Sequence, residues 1–282
     1  MRIQWFPGHM TKALRMMQDQ LQQVDCIIYV LDSRAPFSCL NPKFDALTDK
    51  KPVLYVLNKC DLVERADLEK WLGYFAKNGK KCIAADSLNG KQRDNIVNIL
   101  KQLNAAVIEK YRLKGAKKSV RAMVVGVPNT GKSTFINNLC GSRKTVTGNK
   151  AGVTRGKQWV SLADGVELLD TPGSLPPAFE DEKRALHLAF IGSVKDDILD
   201  TEELAAEMMA YFAHNHTDAF LSRYSIDEMP HDVEERFIAV AKARGFMLSG
   251  GRVDYARTAR AVIDDFRKQK FGRITLDQPE EI

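Results

Sequence analysis

Gly126-Val-Pro-Asn-Thr-Gly131-Lys132-Ser133 fits the pattern G-x-x-x-x-G-K-S, and its surroundings give that pattern meaning. Before it runs Ala122-Met-Val-Val125, an apolar stretch of strand length, and after it residues 133–140 carry helical spacing. A glycine-rich turn between a strand and a helix lets successive backbone N–H groups point inward around a phosphate. The helix amino terminus adds partial positive charge at the same place. Lys132 is expected on the β- and γ-phosphates and the Ser133 hydroxyl on Mg²⁺, with Asn129, Thr130, Gly131 and Thr134 completing the cradle.

Downstream, the apolar run Val166-Glu-Leu-Leu169 ends in Asp170-Thr-Pro-Gly173. A carboxylate there suits a Mg²⁺ ion held through its water shell, and the Gly173 N–H is placed for a γ-phosphate. Thr154, in Ala151-Gly-Val-Thr-Arg155, lies between the two motifs. It is the expected switch threonine, meeting Mg²⁺ when the triphosphate is present.

A phosphate loop does not choose the base. Asn58-Lys59-Cys60-Asp61, at the end of the apolar run Val53-Leu-Tyr-Val-Leu57, does. The Asp61 carboxylate can accept from both N1–H and the exocyclic amine of guanine, a pair adenine does not offer. A site built for such donors strongly rejects a base that leaves the carboxylate unpaired. Asn58 and Lys59 support the base and the loop. After the next apolar run, Asp86-Ser87 would bring the Ser87 backbone N–H to the guanine O6. The expected ligands are therefore GTP and GDP with Mg²⁺.

The order of these motifs is permuted, because the base-reading segment precedes the phosphate loop. The runs at 26–31, 53–57, 82–85 and 122–125 are apolar without alternation, as in strands covered on both faces, so a mostly parallel sheet is expected. Asp32, Asn58 and Asp86 each fall at a strand's carboxyl end, where open α/β sheets place their ligands. Helical spacing is present over residues 10–24, 64–78 and 91–113. The usual sheet can be assembled if its customary ends are joined through the basic stretch 110–121 and new ends open after Gly173. From about residue 180 strand signals vanish. Asp232 with Glu235 forms a capping-box-like start, and Gly245 a stop. The expected fold is an α/β P-loop domain with permuted strands over residues 1–178, followed by a small all-helical domain over 179–282.

Composition narrows the class. With 44% hydrophobic and 28% charged residues among 282, the chain is neither disordered nor a membrane protein. No apolar run reaches the roughly 18–20 residues needed to span a bilayer, and the first twenty residues lack the features of a signal peptide. A cytoplasmic protein is expected. Five widely spaced cysteines without a C-x-x-C pair favour reduced structural thiols. The formal charge is +6, and residues 110–121 hold six Lys/Arg and no acid, as 141–163 hold five. Such clusters suit a polyanion such as RNA, and equally a solvated linker followed by a loop that meets nucleotide phosphates.

Taken with Trp5-Phe-Pro-Gly-His-Met10, Asp32-Ser-Arg-Ala-Pro36, Gly152-Val-Thr154 and Lys270-Phe-Gly-Arg273, these motifs resemble the circularly permuted GTPases of the ribosome biogenesis GTPase A (YlqF/RbgA) family. Ser33 stands where that family has alanine. The resemblance implies GTP hydrolysis coupled to late maturation of the large ribosomal subunit, with rRNA and ribosomal proteins as partners. Neither DNA nor a membrane is an expected partner, and a monomer is expected. It also bears on catalysis. Many small GTPases orient the attacking water with a glutamine where this chain has Ser174. His9 of the amino-terminal motif is the candidate replacement, since neutral imidazole can accept from water; a packing element or an RNA contact is the competing role. Asn129 resembles the asparagine of potassium-dependent GTPases, which implies a K⁺ ion among the phosphates. A different class of reading is a GTP-dependent RNA-binding switch with negligible catalysis. A tRNA- or membrane-associated GTPase would need a further domain or an apolar anchor. His214 and His216 are expected as a helix-end surface pair, and Met208, Met209, Tyr211 and Phe212 as helix core.

Overall fold

The computed structural model describes residues 15–44, 48–87, 92–141, 158–162, 165–175 and 181–281. His9, Thr154 and the amino-terminal Trp5–Met10 motif lie outside them.

Six strands form one sheet: β1 (Cys26–Asp32), β2 (Val53–Asn58), β3 (Lys81–Ala85), β4 (Val120–Val125), β5 (Gln158–Leu162) and β6 (Val166–Asp170). Their spatial order is β3-β2-β1-β4-β6-β5. All neighbours are parallel except β5, which runs antiparallel to β6. Every residue of β1 is buried. Burying each of Ile27, Ile28, Val30 and Leu31 contributes about 1.5–3 kcal/mol, and a central strand with no exposed face has no use for alternation.

From β1 the chain winds outward to β2 and β3, and from β4 it winds the other way to β6 and β5. The order therefore reverses between β1 and β4. In doubly wound sheets the crevice at the strands' carboxyl ends at this reversal is where ligands sit. Asp32 and Gly126 stand directly at its mouth.

Helix α1 (Arg65–Lys77) lies between β2 and β3, and buries Trp71 and Phe75. The helical pattern over 91–113 is two helices, α2 (Arg93–Leu103) and α3 (Ala105–Arg112). Asn104 breaks it: the buried side-chain amide donates back to the Leu100 carbonyl at 2.8 Å, and its φ and ψ are −113° and 18°. An Asx side chain offering such a bond competes with helix continuation. Helix α4 (Lys132–Cys140) follows the glycine-rich turn. In the basic stretch, Arg112 pairs with Glu109, Lys118 with Asp25 and Arg121 with Glu167.

A second compact unit holds the described residues 181–274. It comprises α5 (Glu182–Phe190), α6 (Thr201–Asn215), α7 (Thr217–Tyr224), α8 (Val233–Arg244) and α9 (Tyr255–Arg267). Asp181, Asp200, Asp232 and Asp254 cap four of these helices through their carboxylates. The Glu235 carboxylate accepts from the His231 N–H rather than from Asp232, so the capping box is shifted by one residue. Met208, Met209 and Phe212 are buried, and Phe212 packs on Phe271 with ring centroids 4.3 Å apart. His214 is exposed, and His216, half-buried at the helix end, packs against Tyr211 and Phe212, at 5.7 and 5.9 Å.

The chain's end does not stay with these helices. Residues from Thr275 onward belong to the unit that contains the sheet. Asp277, Leu276 and the turn at Pro279–Glu281 pack there, because the buried Asp277 carboxylate finds its donors in the loop after β1.

Candidate active site

The phosphate loop leaves β4 at Gly126 and enters α4 at Lys132. Gly131 caps the helix with φ of 90°, and a Cβ there would collide with the Asn58 amide, so glycine is required by both conformation and space. Asn129 also holds a left-handed φ of 61°, uncommon for a side chain with a Cβ and often found where a site imposes it. The Lys132 ammonium is buried and turned onto the loop carbonyls of Gly126 and Val127, at 3.1 and 2.8 Å. Burial pushes its pKa down to about 8, although Asp170 pulls the other way. A phosphate entering the loop would supply the counter-charge that burial denies it.

Asp170 ends β6 beside this loop, and its Oδ2 accepts from the Ser133 hydroxyl at 3.0 Å. The other oxygen, Oδ1, is buried with no hydrogen-bond partner, and burial pushes the carboxyl above its ordinary range. An orphaned carboxylate oxygen next to a hydroxyl is costly unless a cation or water meets it. One hydroxyl and one carboxylate suit Mg²⁺, which keeps several waters and takes its remaining ligands from phosphate. Three residues on, Gly173 lies against the phosphate loop: a Cβ would come within 2.7 Å of the Pro128 backbone and 3.0 Å of the Lys132 ammonium. Ser174, where a glutamine would stand in many small GTPases, is fully buried, and its N–H donates to Gly126 at 3.3 Å. Thr130 is buried and Thr134 half-buried on the first turn of α4.

The base-reading loop is bound to the phosphate loop directly. Asn58 Nδ2 donates to the Thr130 carbonyl at 2.7 Å, and Lys59 Nζ to the Asn129 carbonyl at 2.6 Å. Ser87 Oγ donates to Asn58 Oδ1 at 2.5 Å, which brings the end of β3 into the same cluster. Asp61 is exposed at the rim. Partial burial pushes its carboxyl up, and the charges of Asp86 and Asp32 add to the shift. The loops after β2, β3, β4 and β6 thus converge on one crevice. Lys59, Asn58, Asp61, Ser87, Lys132, Ser133, Asp170 and Gly173 all stand at its edge.

Asp32, placed by the sequence only at a strand's carboxyl end, and Arg34 organise this cluster. Asp32, fully buried, accepts from Lys59 Nζ at 2.7 Å and from Arg34 at Nε, Nη2 and the backbone N–H, at 2.9, 2.8 and 3.1 Å. Burial alone would raise its pKa, but the Arg34 guanidinium and Lys59 ammonium hold the carboxyl well below the usual range. The signal was Asp32's position at a strand's carboxyl end. Nothing in the sequence said that its partner would be the lysine of the next loop. Of the cysteines, all five are free, and burial pushes the Cys26 and Cys82 thiols up to about 12, which leaves them unreactive.

A loop that reads guanine and a loop that cradles phosphate, hydrogen-bonded to one another across a sheet whose order reverses between them, define the P-loop GTPases. With the base-reading loop preceding the phosphate loop in the chain, the class is that of the circularly permuted GTPases. A family model described as a 50S ribosome-binding GTPase matches residues 121–240, beginning in the phosphate-loop strand. The chain is 39% identical over 283 residues to the ribosome biogenesis GTPase A of Priestia megaterium, covering 98% of that protein, and 31% identical to that of Thermotoga maritima, covering 96%. It is 34% identical to mitochondrial ribosome-associated GTPase 1 of Mus musculus, covering 90%. The crystal structure of GNP-bound YlqF from T. maritima matches with a TM-score of 0.67 at 29% identity, over 96% of this chain and all of that one. A GDP-bound YlqF structure matches with the same TM-score. This chain belongs to the ribosome biogenesis GTPase A family.

Proposed function

We propose that the chain is a GTP-hydrolysing assembly factor that binds a precursor of the large ribosomal subunit and couples hydrolysis to a late maturation step. The observation that carries the hydrolytic half is the joined pair of loops, Asn58 on Thr130 and Lys59 on Asn129, backed by Ser133 and Asp170. Guanine is read by Asp61, and Lys132 and the loop N–H groups neutralise the phosphates. Mg²⁺, when bound, supplies charge stabilisation at the β- and γ-phosphates, and Ser133 and Asp170 would hold it. The Gly173 N–H would meet the γ-phosphate, and Thr154 would be a ligand of the ion when the triphosphate is bound.

Ser174 is buried and has no carboxamide to orient the attacking water, so another group is needed for that role. We assign this to His9. His9→Ala should lower GTP turnover while leaving GTP affinity nearly intact; equal loss of both would assign the residue a packing role instead. K⁺ beside Asn129 would add positive charge in the transition state. Equal turnover in sodium and potassium buffers would remove that element.

The partner reading is supported by the helical unit. Arg244, Arg252, Arg257 and Arg260 are exposed around the turn between α8 and α9. The Arg257 and Arg244 guanidinium groups lie 4.2 and 5.7 Å from the Phe246 ring centroid. Arginines interleaved with an aromatic ring suit RNA, which offers phosphates and unstacked bases together. Among the described residues no helix is long and apolar enough to cross a membrane. The test is co-sedimentation with purified large subunits in GDP and in a non-hydrolysable GTP analogue, with turnover measured alongside. Analogue-favoured association with stimulated turnover is the expected result. Association without turnover would make the chain a GTP-dependent RNA-binding switch.

A further inference from the structure

The loop between β1 and the short turn at Pro42–Phe44 is buried along most of its length, including Ser33, Arg34, Ser38 and Asn41. A buried loop has to find partners for its polar groups, and this one finds them in three directions. Towards the base-reading loop, Arg34 holds Asp32, which in turn holds Lys59. Towards the γ-phosphate side, Asn41 Nδ2 donates to the Ser174 carbonyl at 3.2 Å, one residue beyond Gly173. Towards the chain's end, the Asp277 carboxylate accepts from the Ser38 N–H at 2.7 Å and the Ser38 hydroxyl at 2.8 Å. The Leu276 N–H donates to the Arg34 carbonyl at 2.7 Å, and Trp71 Nε1 donates to the Asp277 carbonyl at 3.2 Å.

Asp277 is 5% exposed and 239 residues from Ser38 in the chain. A carboxylate is buried only where hydrogen bonds make up for lost water, and Ser38 supplies two of them, one to each oxygen. Ile274, three residues earlier, belongs to the helical unit. Asp277 is thus at the point where the chain re-enters the nucleotide-binding unit.

We propose that Asp277 is a positioning residue for guanine-nucleotide retention: through Ser38 it fixes the loop that holds Arg34 on Asp32 and Asn41 behind Gly173. This rests on the reading of the crevice as the guanine-nucleotide site. Asp277 acts on the base-reading loop and on the segment behind Gly173 through one buried stretch of chain. Without it, the Lys59 support under the base and the segment behind Gly173 lose a common anchor.

The test uses the full chain and a fluorescent GDP analogue whose release is followed by stopped flow. Asp277→Ala, which removes both acceptors of Ser38, should release it at least about tenfold faster, the scale of a single charge-assisted hydrogen bond. Asp277→Asn, which keeps an acceptor for Ser38, should stay within about threefold of the parent chain. Glu280→Ala, an exposed change in the same tail, should leave release unchanged. Ser38→Ala should add nothing in the Asp277→Ala background; additive effects would mean that the two residues act separately, as general destabilisation would have it, and would overturn the proposal. Release from Asp277→Ala within twofold of the parent chain would also overturn it. If Asp277→Ala does not fold, Ser38→Ala alone decides: faster release supports the proposal and an unchanged rate ends it. Failure of the parent chain to bind the GDP analogue would instead remove the nucleotide-site reading beneath.

Discussion

The Asn58 side-chain amide donates to the Thr130 carbonyl at 2.7 Å, joining two loops 72 residues apart in the chain. The Asn58 Oδ1 atom accepts from Ser87 at the same time, so one amide ties three strand ends together. Asn58→Ala leaves a buried carbonyl and a buried hydroxyl without partners, a cost of about 1–3 kcal/mol. GDP should bind roughly tenfold to a hundredfold more weakly, measured by fluorescence titration, and adenine nucleotides should gain nothing.

Lys132 should make nucleotide binding pH-dependent. Burial lowers its pKa to about 8 in the free site, whereas bound phosphate favours the ammonium and raises it again. Below pH 8 the lysine is already charged, and above it each binding event takes up a proton. GDP affinity should therefore fall about tenfold between pH 7 and pH 9. Calorimetry in two buffers of different ionisation enthalpy at pH 9 should register that uptake. At the acid end Asp61 sets the limit, because its raised pKa lets protonation abolish guanine recognition at a higher pH than an ordinary carboxylate would.

Gly173→Ala inserts a methyl group where the Pro128 backbone and the Lys132 ammonium already stand. The switch segment must then withdraw from the phosphate loop. GTP turnover should fall by roughly a hundredfold, the scale of one lost transition-state donor, while GDP affinity falls much less. A single-turnover assay beside GDP titration separates the two; equal losses would show that the methyl group disrupts the whole loop.

The double change Arg244→Ala with Arg257→Ala removes two exposed cations from around Phe246. If the helical unit meets RNA there, affinity for large subunits should fall, and the salt dependence of binding should flatten by about two counterions. GTP hydrolysis in the absence of subunits should be unaffected.

Much of this site was legible in the residues because its chemistry is local. A phosphate loop needs its glycines, lysine and serine in one run, and Gly126–Ser133 has them. The central strands were legible because they are buried on both faces, which leaves an uninterrupted apolar stretch such as Cys26–Leu31. The break at Asn104 was not, since the amide's return to Leu100 competes with a helical periodicity that runs through it. The Asp32–Arg34–Lys59 cluster was beyond reach for another reason. Arg34 is a local partner two residues away, but the half-buried Lys59 reaches Asp32 only because β1 and β2 are neighbours, and no spacing in the chain encodes that. The same holds for Asp277, whose partner Ser38 lies at the other end of the sequence.

Because the last described residues pack with the sheet, sequence position is a poor guide to what a probe on them would report. A dye attached through Glu280→Cys would tumble with the nucleotide-binding body, although the whole helical bundle precedes it in the chain. A dye on Arg260→Cys would follow the bundle. Two labels only twenty residues apart in the sequence would thus report on different compact units.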